Sequence, residues 1–173
     1  MGKLHDVQVK FFSNSTELAR QVAAWKSNNE KVVFTNGCFD ILHQGHVTYL
    51  AQAADFGTKL IVGLNTDASV RLQGKGEERP INPELARAFV LAGLGFVDAV
   101  ILFDAPTPES LIEELKPSVL VKGADYDENQ EDPKHKQYIV GREKVLAYGG
   151  DVRTVDLVPG FSTTNIVSKL KKA

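Results

Sequence analysis

One stretch, Val32 to Leu50, limits the fold more than any other: V-V-F-T-N-G-C-F-D-I-L-H-Q-G-H-V-T-Y-L. It opens as an apolar, β-branched run that predicts a buried strand at Lys31 to Thr35, turns through Asn36 and Gly37, and resumes at helical spacing with Val47, Leu50, Ala51 and Ala54. A strand that runs directly into a helix puts its turn at the sheet's carboxyl edge. There the first helical turn offers unpaired N–H groups and the positive end of a dipole, which suit a phosphate. His43 and His46 stand at this helix start. A spacing of three puts both imidazoles on one face, and Gly45 between them leaves room for a ligand.

The same alternation continues along the chain. Asn14 to Asn28 has helical spacing at Leu18, Val22 and Trp25, with Asn14 and Glu17 as a capping box, and predicts a helix packed on the sheet. Residues 1 to 12 carry no strong pattern. A helix over Gly45 to Phe56, ended by Gly57 as a left-handed cap, leads to a buried strand at Lys59 to Asn65. Asn82-Pro83 open a helix at Glu84 to Leu94, followed by a strand at Ala99 to Phe103 and a helix at Pro108 to Leu115 capped by Thr107. A strand at Val119 to Val121, a helix at Ile139 to Tyr148 closed by Gly149-Gly150, a strand at Val152 to Leu157 and a last helix at Thr163 to Lys171 complete the series. The expectation is one α/β domain over residues 1–173, with 1–30 as a helical extension. Its centre would be a Rossmann-like open parallel sheet of about five strands with helices on both faces. The polar insert Asp127 to Gln137 reads as a solvated loop.

In such sheets ligands sit beyond the carboxyl ends of the strands, where strand order reverses. Along this chain those ends carry Asn36 to His46, then Asn65, Asp67 and the loop L-Q-G-K-G-E-E-R-P, then Lys122, Gly123, Asp125 and Tyr126, then Gly160 to Thr164. The histidines, Lys75, Arg79 and Lys122 gather donors and positive charge, which points to a polyphosphate. Neither G-x-x-x-x-G-K-[ST] nor a G-x-G-x-x-G after the first strand is present, which argues against a P-loop NTPase and a dinucleotide-binding dehydrogenase. Net charge of −2 disfavours nucleic acid as a partner. A single cysteine excludes an internal disulfide, and no apolar run reaches the roughly 18 residues of a membrane span. A cytoplasmic protein is expected.

The segment G-C-F-D-I-L-H-Q-G-H resembles the G-x-F-D-x-x-H-x-G-H signature of nucleotidyltransferases related to glycerol-3-phosphate cytidylyltransferase. Within that group R-P-I-N-P, L-V-K-G-A-D-Y, G-R-E-K-V-L-A-Y-G-G and F-S-T-T-N-I are most similar to D-glycero-D-manno-heptose 1-phosphate adenylyltransferases, over about Lys31 to Leu170. The resemblance implies transfer of adenylate from ATP to a sugar 1-phosphate, giving an ADP-sugar and pyrophosphate for lipopolysaccharide or another bacterial surface glycan. By the same resemblance His43, His46 and Lys75 are the catalytic candidates. Asn36, Gly37, Cys38, Phe39, Gly45, Lys122, Gly123, Asp125, Phe161, Ser162 and Thr163 would bind nucleotide. Asp40, Asn65, Asp67, Arg79 and Arg87 would face the acceptor, although Asp40 could instead cap the histidine helix and either arginine could pair with an acid. Cys38 reads as a packed thiol rather than a nucleophile.

The chemistry agrees with these residue types. A sugar phosphate is already anionic, so attack on the α-phosphorus needs positioning and charge stabilisation rather than a general base. Magnesium on the leaving phosphates is the expected cofactor, with water and phosphate as most of its ligands because the sequence shows no dedicated cage. A homodimer is expected, as is a separate heptose kinase upstream. The rival enzyme is a cytidylyltransferase for glycerol 3-phosphate or another polyol phosphate. It is weakened because Leu157-Val158-Pro159-Gly160-Phe161 stands where that group has R-T-x-G-I. A catalytically silent nucleotide-binding module is the rival from another class.

Overall fold

A computed structural model describes residues 2–74 and 78–170, so the candidate Lys75 lies outside the described residues. In chain order the elements are α1 (Lys3–Gln8), β1 (Phe11–Phe12), α2 (Ser15–Ser27), β2 (Val32–Gly37), α3 (Gln44–Ala54), β3 (Lys59–Asn65), α4 (Asp67–Leu72), α5 (Glu84–Ala92), β4 (Ala99–Phe103), α6 (Glu109–Leu115), β5 (Val119–Gly123), α7 (Arg142–Ala147), β6 (Asp151–Val155) and α8 (Thr163–Leu170). The six strands are all parallel in the order β1-β4-β3-β2-β5-β6. The chain therefore lays down β1 at one edge, crosses to β2 near the middle, winds back through β3 to β4 beside β1, and returns to add β5 and β6 on the other side. The reversal of strand order falls between β2 and β5.

Alternation along the strands distributes the core. Val33, Val62, Val100 and Val119 point to one face, where Leu50 and Ala53 of α3 and Ala88 and Leu91 of α5 cover them. Val32, Phe34, Ile61, Ile101 and Leu120 point to the other, under Leu18 and Val22 of α2, Ile112 and Leu115 of α6 and Val145 of α7. A parallel strand buried on both faces must be apolar at successive positions, which explains why these runs are continuous rather than alternating.

Several expectations are corrected. The sheet of about five strands expected has six, the additional edge strand being Phe11 and Phe12 paired with Val100 and Ile101. Two residues are too short to show a period, and α1 before them buries nothing. The short helix α4 was not foreseen either; Thr66 caps it, its side chain accepting from Ser69 N. Thr107 does not cap α6, whose N-cap is Pro108 with no side-chain cap bond. The helix expected from Ile139 begins only at Arg142, after Gly141 at φ +90°. Gly57 is not left-handed. It is glycine because a Cβ there would fall on the Lys31 carbonyl oxygen and within 2.6 Å of Val33 Cγ2. The Asn14 cap is present, Oδ1 accepting from Glu17 N at 2.8 Å.

Candidate functional site

At the strand reversal β2 and β5 are in register at Val33–Val119 and Phe34–Leu120. Beyond these pairs a cavity of about 690 Å³ opens at the carboxyl edge. That volume is within the range of small-molecule sites. Asn36, Gly37, Cys38, Phe39, Asp40 and His46 line it from β2 and the turn that follows; Asn65, Gln73 and Arg79 from the region after β3; Lys122, Gly123 and Asp125 from the end of β5; and Thr163 from the start of α8. All but Gln73 were named individually in the sequence analysis, and Gln73 lies in the loop it placed at this edge. Tyr49, Pro106, Thr107, Pro108, Tyr126, Val140, Leu157 and Thr164 line it as well. The Pro106–Pro108 wall follows β4 and Asp104, an end of the sheet that the sequence analysis did not single out.

The turn between β2 and α3 is shaped by its own side chains. Phe39 is left-handed at φ +41°. Asp40 is buried and turns away from α3: its carboxylate accepts from Arg79 Nε at 2.5 Å and from the Ile81 and Asn82 amides at 2.9 Å each, and its carbonyl accepts from Asn82 Nδ2. Burial alone would raise this carboxyl group, but the bonds from Asn82, Ile81 and Arg79 outweigh it and hold it below the ordinary range. Asp40 therefore does not cap the helix. His43 does, its Nδ1 accepting from His46 N at 3.3 Å.

That cap sets the chemistry of the histidine pair. With Nδ1 as an acceptor, neutral His43 carries its proton on Nε2, a donor that is buried and has no protein partner. His46 stacks on His43 at 3.8 Å between ring centres, with Phe39 edge-on at 5.3 Å. A hydrogen bond to the Ile41 backbone occupies one of its nitrogens, and Nδ1 is buried and unpartnered. Burial, and next the neighbouring His43, push His46 down to about 4; burial also lowers His43. Both rings are neutral near pH 7. Gly45 makes the stack possible, since a Cβ there would sit 3.1 Å from the His43 ring and from Phe161 Cβ.

Lys122 is buried, donates to Asn36 Oδ1 at 2.6 Å across the gap between β5 and β2, and lies 5.3 Å from the centre of the Tyr126 ring. Cys38 Sγ lies 3.2 Å from Gln73 Oε1, within the wall. Asn65 is buried and donates to Ser69 Oγ at 2.9 Å. Two acceptor candidates are placed elsewhere. Arg87 is enclosed beneath the cavity, donating to the Asn82, Cys38 and Asn65 carbonyls at 2.9, 2.6 and 2.9 Å and to Asp67 Oδ1 at 2.7 Å. It pairs with an acid, and neither Arg87 nor Asp67 lines the cavity. Phe161 stands 6.4 Å from His43, and Ser162 caps α8 by accepting from Asn165 N at 3.1 Å; both flank the cavity. Among the described residues no three His, Cys, Asp or Glu side chains converge as a metal site, and no helix is long and apolar enough to cross a membrane.

Comparison with known proteins gives this geometry a setting. The cytidylyltransferase-like family model matches residues 34–169. The chain is 54% identical to the bifunctional protein HldE of Campylobacter curvus over 94% of its own length and 32% of that protein's. It is 47% identical to HldE of Geobacter metallireducens over its full length and 34% of that protein's. The chain thus spans about a third of the curated relatives it matches. Among solved structures it resembles the lipopolysaccharide core biosynthesis protein of Thermoplasma volcanium, with a TM-score of 0.56 and 29% identity over 75% of this chain and 97% of that one. Pantothenate synthetase of Thermus thermophilus shares the fold, with a TM-score of 0.60, at 16% identity over 95% of this chain and 70% of that one.

Proposed function

The chain belongs to the cytidylyltransferase-like family, and from that premise we propose that it transfers adenylate from ATP to a sugar 1-phosphate, D-glycero-D-manno-heptose 1-phosphate being the acceptor its motifs suit best. A phosphate oxygen of the sugar attacks the α-phosphorus, the bond to the β-phosphate oxygen breaks, and pyrophosphate leaves with that electron pair. No proton has to be removed from the nucleophile. The supporting observation is the histidine pair: two buried ring nitrogens without a protein partner, stacked at the helix start beside the cavity. His43 Nε2–H would donate to an α- or β-phosphate oxygen. His46, taking up a proton as the triphosphate arrives, would offer Nδ1–H as a second donor. Lys122 adds positive charge to the same cavity, where Arg79 is already paired with Asp40. Magnesium, when bound to the nucleotide, would neutralise charge on phosphate oxygens. With no carboxylate cluster among the described residues, it would rest on phosphate and water, with Asp125 an exposed carboxylate in the cavity wall.

The heptose acceptor and a role in surface-glycan assembly rest on the quoted motifs and on relatives named HldE and lipopolysaccharide core biosynthesis protein. A sugar 1-phosphate needs an enzyme to phosphorylate the sugar, which fits the word bifunctional in the longer relatives' name. The test is pyrophosphate release with ATP or CTP against a panel of sugar and polyol phosphates. ATP with the heptose 1-phosphate should exceed every other pair, and His46→Ala should lower kcat about 10²–10³-fold with an unchanged circular dichroism spectrum. Preference for CTP with glycerol 3-phosphate would replace this reading, and no turnover with any pair would remove it.

A further inference from the structure

We propose that Tyr49 is the positioning residue of the histidine pair: its hydroxyl group ties α3 to the ends of β2 and β5, and this tie sets where the His46 ring stands beside the gap between the two strands. The inference rests on the reading of His43 and His46 as phosphate donors given above. The pairing of β2 with β5 covers Val33–Val119 and Phe34–Leu120 and then stops, although β2 stays paired with β3 as far as Gly37 and β5 with β6 as far as Gly123. In that register the next positions are Thr35 and Val121. Tyr49 bridges them: its hydroxyl oxygen lies 2.6 Å from Thr35 Oγ1, and the hydroxyl donates to the Val121 carbonyl at 3.2 Å. A phenol has one proton to give, so Thr35 is the donor of the shorter bond. The bonds run one way, from the Thr35 hydroxyl through Tyr49 to the Val121 carbonyl.

The residue types fit this task better than they fit packing. Thr35 is fully buried at the end of the apolar run V-V-F-T, and alternation puts it on the same face as Val33, under α3. Valine would have the same shape there, and a buried hydroxyl needs a partner to offset its loss of water. Tyr49 is itself buried, and it belongs both to the core beneath α3 and to the cavity wall. Burial pushes its hydroxyl above the ordinary tyrosine range, so the donor is kept at neutral pH. His46 precedes Tyr49 by three residues, one turn earlier on the same side of the helix, and lines the same cavity. Leu50 and Ala53 hold α3 on the sheet by apolar contact, which has no preferred direction. The hydroxyl bonds supply that direction. A misplacement of about 1 Å at a reacting group can cost on the order of 100-fold in rate, so the tie has a measurable consequence.

Variants of nearly unchanged shape test this in the full chain. Tyr49→Phe and Thr35→Val should each keep the circular dichroism spectrum and lower kcat for pyrophosphate release about 10- to 100-fold, with KM changed less than about threefold. The double variant should be no slower than the slower single one, because both substitutions break the same tie. Thr35→Ser keeps the hydroxyl and should stay within about threefold of the unaltered protein. In the substrate-free protein, the ring-nitrogen NMR shifts of His43 and His46 should move in both single variants, while those of His5 and His135, on other segments, stay in place. That measurement needs no turnover, so it separates a failure of this proposal from a failure of the nucleotidyl transfer reading. A loss of activity in Tyr49→Phe without one in Thr35→Val would make the phenol a direct contact of substrate and overturn the positioning role. Unmoved histidine shifts, losses that multiply in the double variant, or an unchanged kcat in both single variants would overturn it equally.

Discussion

His46 sets the pH behaviour of the site. In the unfolded chain its imidazole takes up a proton near pH 6.5, whereas in the folded protein burial and His43 delay this to about pH 4. Between those values the unfolded state binds more protons, so stability is fully present above about pH 6.5 and falls as pH drops toward 4. An anion against Nδ1 works in the opposite direction. ATP binding near pH 5.5 should therefore take up a fraction of a proton, read as a dependence of calorimetric enthalpy on buffer ionisation heat. That uptake should vanish in His46→Asn, and equal enthalpies in all buffers for the unaltered protein would contradict the assignment. At this scale the sequence was legible in part. The histidine pair, Lys122 and Arg79 could be named because their types and their place after strands carry the meaning. The roles of Asp40 and Arg87 could not, because their partners are mostly backbone groups far along the chain: the Ile81 and Asn82 amides for one, and for the other the Cys38 and Asn65 carbonyls besides that of nearby Asn82.

Among the elements, α3 shows how a secondary structure can be fitted to a ligand at some cost to itself. Glycine in its first turn weakens a helix by roughly 0.5–1 kcal/mol relative to alanine, yet a Cβ at position 45 would press on the His43 ring from 3.1 Å. Stability and activity should therefore move apart. Gly45→Ala is expected to leave the melting temperature unchanged or slightly raised while kcat/KM for pyrophosphate release falls about 10- to 100-fold, as a displaced catalytic ring would give. A variant that loses stability and activity together would mean that the glycine serves packing alone. The buried strands were readable as unbroken apolar runs of five or more residues, and α2, α3 and α5 because their apolar residues recur at helical spacing against the core. The elements that escaped, α1, β1 and α4, are six, two and six residues long and bury little or nothing with a period of their own. Gly57 shows the same limit from another side. A sequence reveals that a helix ends at a glycine, but not whether the backbone there turns left-handed or is merely crowded by a neighbouring chain segment.

Across the whole molecule, the parallel sheet and its site edge follow from strand–helix alternation, and the strand reversal locates the cavity once the order is known. The order itself depends on β2 serving as the common neighbour of β3 and β5, which no local pattern encodes. The two walls of the cavity are thus made by separate stretches of chain: residues up to β4 complete one, and β5 onward the other. They meet along a short seam, with two registered pairs between β2 and β5 against six between β2 and β3, and with the Lys122–Asn36 bond just beyond it. A nucleotide lying across that gap would act as a clasp on a hinged case. At a concentration 100-fold above its Kd it should add about 2.7 kcal/mol to the closed form, and the gain should concentrate in amide exchange of β5 and β6 rather than spread evenly. Uniform slowing across all six strands would mean the two halves already open and shut as one piece.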